Sequence, residues 1–288
     1  LDALLETTVD LRLWALAFTV LDWPERQKAE AWAALQAGAA PAVAPEQARA
    51  LAALAADLPR RQQEAAERGA RLLLPGDDGV DALLAPLPYP VALWVRGTLP
   101  PPAGAGPRIA LVGSREASTR GQARTRAWAR ALTEAGVVVL SGLARGIDGA
   151  AHAGALKAGP TWGVMGSGLD HLYPPEHRPL MDRMVAGGGG VITPFPPEAP
   201  PRKWHFPRRN WLLAAWADGV LVTEARLKSG SLVTARLALD LGKELWVCPG
   251  SPEDPSAEGP NSLLREGAAR ICLSPAQLLE DLGAAWVT

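Results

Sequence analysis

The residues of this sequence that could do chemistry fall into five short stretches, and most of them are glycines, hydroxyls and arginines. The first is Gly113-Ser114-Arg115. A glycine lets backbone approach a ligand, and an arginine brings a two-pronged donor for phosphate. A tight turn with a surface arginine reads the same way. The second, Ser141-Gly142-Leu143-Ala144-Arg145-Gly146-Ile147-Asp148, repeats that chemistry, with Asp148 as the expected N-cap of the next helix. Two such stretches argue for anion binding more strongly than one. The third, Gly166-Ser167-Gly168-Leu169-Asp170-His171, holds a GxG but ends in His where the dinucleotide fingerprint needs Gly or Ala. No acidic residue follows on a second strand at the usual distance, so no nicotinamide cofactor is expected.

The fourth stretch closes a 14-residue Pro-rich segment, Pro194 to Pro207, and continues as Lys203-Trp204-His205-Phe206-Pro207-Arg208-Arg209-Asn210. A loop of that length in a compact domain is more often a binding element than a plain connection. Its cations alternate with flat rings, which is the chemistry that holds single-stranded nucleic acid by charge and stacking. Two readings of the rings stay open: Phe206 and Trp204 as stacking platforms, or as core plugs with the arginines solvated. The fifth stretch runs from Glu224 to Ser229-Gly230-Ser231, where an N-cap and free N–H groups offer an anion site. Glu224 reads as a general base or as an acceptor that orients the glycine-rich loops, and the second reading is favoured because no nucleophile, ligand set or second carboxylate accompanies it. No catalytic residue is assigned. No metal site is assigned either: His152, His171, His177 and His205 lack HExxH spacing, and Cys248 and Cys272 form no CxxC. Gly242-Lys243 is followed by Glu244 and lacks the upstream glycine of a P-loop.

Each stretch needs an element to position it. Apolar runs at Ile109 to Val112, Val137 to Leu140, Thr161 to Met165, Gly190 to Thr193, Gly219 to Thr223 and Glu244 to Cys248 read as strands. Helical spacing fills most of the intervals, at Gly121 to Ala135, Ile147 to Lys157, His177 to Val185, Arg209 to Ala217 and Ser231 to Leu241. Continuous apolar strands alternating with helices predict an α/β fold with a doubly wound, mostly parallel, extended Rossmann-like sheet. Ligands of such folds bind at the carboxyl ends of the strands, where all five stretches lie. A further strand is expected in Pro90 to Gly97. Residues 1 to 68, rich in Ala, Leu, Glu and Gln, predict a small all-helical N-terminal domain, with 69 to 288 as the α/β unit. That helical start reads first as a packing or interaction module.

Charge sharpens this picture. The chain of 288 residues has a formal net charge of −1, which taken whole argues against nucleic acid. Residues 108 to 210, however, hold 14 Lys and Arg against 7 Asp and Glu, between two acidic flanks. The total therefore conceals a basic middle third. The arginines at 120, 124, 126 and 130 share one helix, either as a solvated face or as part of that field. Two cysteines without a framework fit a reducing cytoplasm, and no apolar run is long enough for a membrane span.

Together these motifs resemble the DprA/Smf family of bacterial DNA-processing proteins. The resemblance runs through Ile109 to Arg115, Ser141 to His152, Gly166 to Pro174, Phe206 to Asn210, Glu224-Ala225 with Ser229 to Ala235, Pro249-Gly250 and Asn261 to Ala268, about residues 71 to 272 in all. It implies a non-enzymatic protein that binds single-stranded DNA, forms a homodimer and loads the recombinase RecA during natural transformation, with no cofactor. Carried over by motif, Arg115 holds a phosphate, Ser141-Gly142 and Arg145 line the pocket, and Lys203 with Phe206 contacts backbone and base. The chain departs from the family pattern at Trp211, at Thr193-Pro194 and at Pro175-Glu176-His177. Many members also carry a C-terminal winged helix, and none is expected in the residues after Leu282. The alternative readings are a Rossmann-like enzyme that cleaves nucleoside monophosphates, against which the missing Pro-Gly-Gly-x-Gly-Thr loop tells, and a nucleotide sensor without turnover.

Overall fold

The computed structural model of the protein describes residues 10–102 and 104–283. The first nine residues of the expected helical start, and the tail after Gly283, lie outside them. Among the described residues three helices come first: α1 (Leu11–Val20), α2 (Glu25–Gln36) and α3 (Pro45–Glu67). Asp10 caps α1 by accepting from the Arg12 N–H at 2.9 Å. Then follow β1 (Arg71–Leu73), α4 (Asp81–Leu84) and β2 (Leu93–Gly97).

From Arg108 onward strand and helix alternate. The elements are β3 (Arg108–Val112), α5 (Thr119–Glu134), β4 (Val138–Ser141), α6 (Ile147–Ala155), β5 (Thr161–Val164), α7 (Arg178–Ala186) and β6 (Gly190–Thr193). After these come α8 (His205–Trp216), β7 (Gly219–Val222), α9 (Gly230–Asp240), β8 (Glu244–Val247), α10 (Glu258–Arg265), β9 (Arg270–Ile271) and α11 (Pro275–Asp281). Every residue of β3, β5, β6 and β7 is buried, as continuous apolar runs in a sheet covered on both faces must be.

The nine strands form one sheet in the order β1-β2-β6-β5-β4-β3-β7-β8-β9. The seven from β6 to β9 are parallel, whereas β2 runs antiparallel to β6 and β1 antiparallel to β2. This is the doubly wound sheet the sequence predicts, extended at one edge by an antiparallel pair. The chain winds from β3 to β6 in one direction, then returns to place β7 beside β3. That reversal is the topological switch point, where the loops leaving β3 and β7 diverge and open a crevice.

Alternation along each strand serves two layers. Ile109, Leu111, Val139, Leu221 and Trp246 face α5, α6 and α11, while Ala110, Val112, Leu140, Val220 and Val222 face α8 and α9. Leu13, Trp14 and Phe18 of α1 belong to the same core as Leu72, Trp94 and Leu212. The helical segment therefore packs continuously onto the sheet.

Two local expectations are corrected. Helix α8 starts at His205, four residues before the expected Arg209, so Phe206, Pro207 and Arg208 occupy its first turn instead of a loop. Proline is tolerated there because first-turn N–H groups have no partner within the helix. Asp148 is not the N-cap of α6. That position belongs to Gly146, at φ +72°, and Asp148 lies inside the helix, where its carboxylate accepts from the Ala144 N–H at 3.3 Å.

Candidate nucleic-acid interface

The switch point is built by loops that hydrogen-bond to one another. Ser114 N–H donates to the Glu224 carbonyl at 2.7 Å, tying the loop after β3 to the loop after β7. Ile147 N–H donates to the Ser114 carbonyl at 3.1 Å and brings in the loop after β4. The buried Glu224 carboxylate accepts from Ser118 N–H at 2.9 Å and from the Ser118 hydroxyl at 2.7 Å. The same Ser118 oxygen accepts from Gly121 N–H at 2.9 Å and caps α5. Glu224 is thus engaged in positioning a helix.

Two adjoining cavities open on this scaffold. The larger, about 500 Å³, lies between Gly113-Ser114-Arg115 and the start of α9, with Arg226 and Lys228 on its rim. Ser229 caps α9: its hydroxyl accepts from Ser231 N–H at 3.4 Å and pairs with the Ser231 hydroxyl at 2.7 Å. The smaller cavity, about 170 Å³, lies over the loops after β4 and β5 and is lined by Arg145, Gly166 and Tyr173. Arg115 and Phe206 line both. The Arg115 guanidinium lies 4.7 Å from the centre of the Phe206 ring, within the range of a cation–π contact. The result is a groove along the carboxyl edge of the sheet, with a cation and a flat ring at its middle.

Beneath the groove the charges are structural. Arg209 is only 5% exposed, and its guanidinium donates to the Gly142 carbonyl, to the Val164 carbonyl at 2.9 Å and to Asn210 Oδ1 at 2.9 Å. Asn210 Nδ2 reaches the Gly230 carbonyl at 3.2 Å, so one helical turn holds the loops after β4, β5 and β7. Burial lowers the Arg209 pKa from its ordinary value, and Asp148 opposes that shift. Burial raises the pKa of Asp148, opposed by Arg209. Each favours the charge of the other. Leu143 adds to this layer as the one non-glycine residue with positive φ, 58°, among the described residues. Such a conformation costs about 1–3 kcal/mol and persists where packing enforces it; here the Leu143 side chain fills the space that Gly163 leaves open.

The residues singled out from the sequence therefore separate. Gly113, Ser114, Arg115, Phe206, Arg209, Asn210, Ser229, Gly230 and Ser231 come together at the larger cavity, and Gly142, Arg145 and Gly166 at the smaller. Ser141 is fully buried, and its hydroxyl donates to the Leu111 carbonyl at 2.6 Å. Gly168 packs on the Pro-rich loop, donating to the Ala199 carbonyl at 2.8 Å. Arg208 turns away toward α1 and donates to the Phe18 carbonyl at 3.0 Å. Lys203 is exposed just ahead of α8. The sequence reading passed over Arg226, Lys228 and Tyr173. The first two were detectable as cations between Glu224 and Ser229 in a loop already marked. Among the described residues no group of three or more His, Cys, Asp or Glu side chains is placed to hold a metal ion.

Residues 73–283 match the family model described as DNA recombination-mediator protein A. Protein Smf of Escherichia coli is 43% identical over 201 residues, covering 69% of this chain and 53% of its own length. The DNA processing protein DprA of Bacillus subtilis is 38% identical over 206 residues, covering 67% of this chain and 68% of its own length. The chain thus spans about half to two-thirds of these curated relatives. Among solved structures, DNA processing protein A of Streptococcus pneumoniae superposes with a TM-score of 0.73 at 30% identity, covering 97% of this chain and 95% of that one. The Helicobacter pylori protein, described for its unique single-stranded DNA binding mode, gives 0.65 at 27% identity over 75% of this chain and 97% of that one. On the matched residues and on this shared fold, the chain belongs to the DNA recombination-mediator protein A family, as the DprA/Smf resemblance of its motifs implies.

Proposed function

We propose that the protein binds single-stranded DNA in the groove at the sheet's carboxyl edge and acts as a recombination mediator without catalysing a reaction itself. The observation that carries this reading is the Arg115–Phe206 pair, shared by two cavities at the topological switch point. A ring and a guanidinium side by side can take a base and its phosphate together. The N–H groups at Ser229 to Ser231 and the backbone of Gly113-Ser114 receive a second phosphate, while Lys203 extends the positive field along the strand and Arg145, paired with Glu176, lines the smaller cavity. Ser141, Gly142, Gly168, Arg209, Asn210 and Glu224 serve by holding the loops, while Arg208 lies outside the groove against α1. The single-stranded DNA named for the Helicobacter pylori relative supports the same ligand here.

The test is a titration of fluorescent oligo-dT over a salt series. The logarithm of the affinity should fall linearly with log salt, and Arg115→Ala should reduce that slope by about one. Phe206→Ala should weaken binding by about 1–3 kcal/mol at every salt concentration. Salt-independent binding, or full affinity in both variants, refutes the reading. Family membership further supports delivery of the bound strand to RecA by a cytoplasmic homodimer during natural transformation. Sedimentation at graded concentration tests the dimer, and strand exchange by RecA with and without the protein tests the delivery.

A further inference from the structure

Residues at the start of α8 divide between two clefts. Phe206 and Arg209 line the groove, whereas Trp204, His205 and Arg208 line a separate cleft of about 830 Å³. One wall of that cleft is the Pro-rich loop from Phe195 to Pro200, and the other is the turn between α1 and α2. The Pro-rich loop leaves β6, the next strand in the sheet after β5. The cavities therefore follow one another along a single sheet edge: first over β7 and β3, then over β4 and β5, then beyond β6. At about 4.8 Å per strand, the path from β7 to β6 is roughly 19 Å.

The cleft contains a built platform. Trp204 is 55% exposed, yet its indole is fixed edge-on to Phe195, with centroids 6.1 Å apart, and to His205 at 4.1 Å. Phe195 and His205 are themselves buried and stacked at 3.8 Å. A large ring braced by two buried rings and open to solvent suits a flat ligand. Cations surround it: Arg202 and Lys203 are exposed immediately before it, and Arg208 and the buried Lys28 lie in the cleft. Burial, and then the Arg208 charge, push the Lys28 ammonium below its ordinary pKa although Glu25 stands 3.0 Å away. An anion in the cleft would relieve that field. Asp22, Glu25 and Glu198 also line the cleft, so it suits stacking with one phosphate and not a row of phosphates.

We infer that this cleft is a second nucleotide subsite for the strand held in the groove: the strand crosses the start of α8, a base stacks on Trp204, and the adjoining phosphate lies by Arg202 and Arg208. The inference rests on the single-stranded DNA reading of the groove. It is tested with oligo-dT of about 4 and about 12 nucleotides, each carrying one 2-aminopurine at successive positions, against the unmodified protein, Trp204→Ala and Arg202→Glu. Both substituted side chains are exposed, so the fold should tolerate the changes. The long oligonucleotide should show two separated positions of quenching. Trp204→Ala should abolish one of them and weaken the long oligonucleotide by about 5- to 150-fold while leaving the short one unchanged. Arg202→Glu should weaken the long oligonucleotide alone. Unchanged affinity and quenching in Trp204→Ala would overturn the subsite while leaving the groove in place. Failure of the unmodified protein to bind either length would overturn both.

Discussion

Arg209 carries its charge almost wholly buried at the floor of the groove, where it holds the loops together. Its donors satisfy carbonyls in the loops after β4 and β5, and Asp148 lies nearby in the same buried layer. Arg209→Met would leave those carbonyls without this donor and a buried carboxylate without its counter-charge. A loss of about 3–5 kcal/mol is expected, read as a lowered urea midpoint; a change below 1 kcal/mol would mean the loops hold themselves. The sequence could show that Arg208 and Arg209 are cations near an anion site, but not which way each points. Adjacent positions on a helix lie on different faces, so one goes to α1 and the other beneath the groove. His152 is the opposite case, a histidine outside any metal-binding spacing that is fully buried as a packing residue. Burial, reinforced by the charges of His177 and Arg209, pushes its pKa down to about 3, and its Nδ1 stands 2.9 Å from Thr161 Oγ1. The imidazole is neutral in the folded protein and takes up a proton on unfolding below its ordinary pKa of 6.5. Stability is therefore full above pH 6.5 and falls as the pH drops from there toward 3, by up to about 1.4 kcal/mol per pH unit. His152→Asn keeps a polar atom for Thr161 and removes the titration, so its acid limb should be flatter. An identical acid limb would place the loss elsewhere.

At the scale of elements, the strands were the most legible part of the chain and the helix starts the least. β3 to β8 announce themselves as apolar runs because both faces of the sheet are covered. β1 and β9, three and two residues long, are too short to show a pattern. The start of α8 was hidden by Pro207, which reads as a breaker but costs nothing in a first turn. That difference moved Phe206 from a loose loop to a rigid helix, where its ring meets Gly166: a Cβ there would come within 2.9 Å of it. Helix α5 shows how one element's cap supports another's loop. Ser118 caps it and is itself held by Glu224, so the carboxylate that could pass for a general base is a strut between β7 and α5. Ser118→Ala should cost about 1 kcal/mol in thermal or urea unfolding. Glu224→Gln should cost a similar amount and leave nucleoside monophosphates intact in either form of the protein. Release of free base that depends on Glu224 would restore the enzymatic reading.

At the scale of the molecule, the near-neutral total charge and the two-part sequence organisation both look different once folded. Several cations of the basic middle third are neutralised locally, Arg130 by Glu134 and Arg145 by Glu176 among them. The part of the field that matters is the cluster at the carboxyl edge, which draws Arg226 and Lys228 from the acidic last third. The compositional break near residue 68 is likewise real in sequence but bridged in space. Arg12 of α1 pairs with Asp77 at 2.6 Å, Ala92 N–H donates to Thr19 Oγ1 at 2.8 Å, and Phe18 packs against Tyr89 with ring centres 5.3 Å apart. Chains of this length commonly unfold in more than one step. A core that runs without interruption from α1 to the sheet argues that α1 to α3 and the strands around the switch point unfold together. Phe18→Ala, which removes about 3–5 kcal/mol of packing far from the groove, separates the two possibilities. If the unit is cooperative, amide exchange in β3 and β7 should accelerate along with that in α1, and far-UV dichroism should show one shifted transition. Exchange that quickens in the helices alone would make residues up to 68 an independent domain, and would leave the cleft around Trp204 as a junction between two separately folding parts.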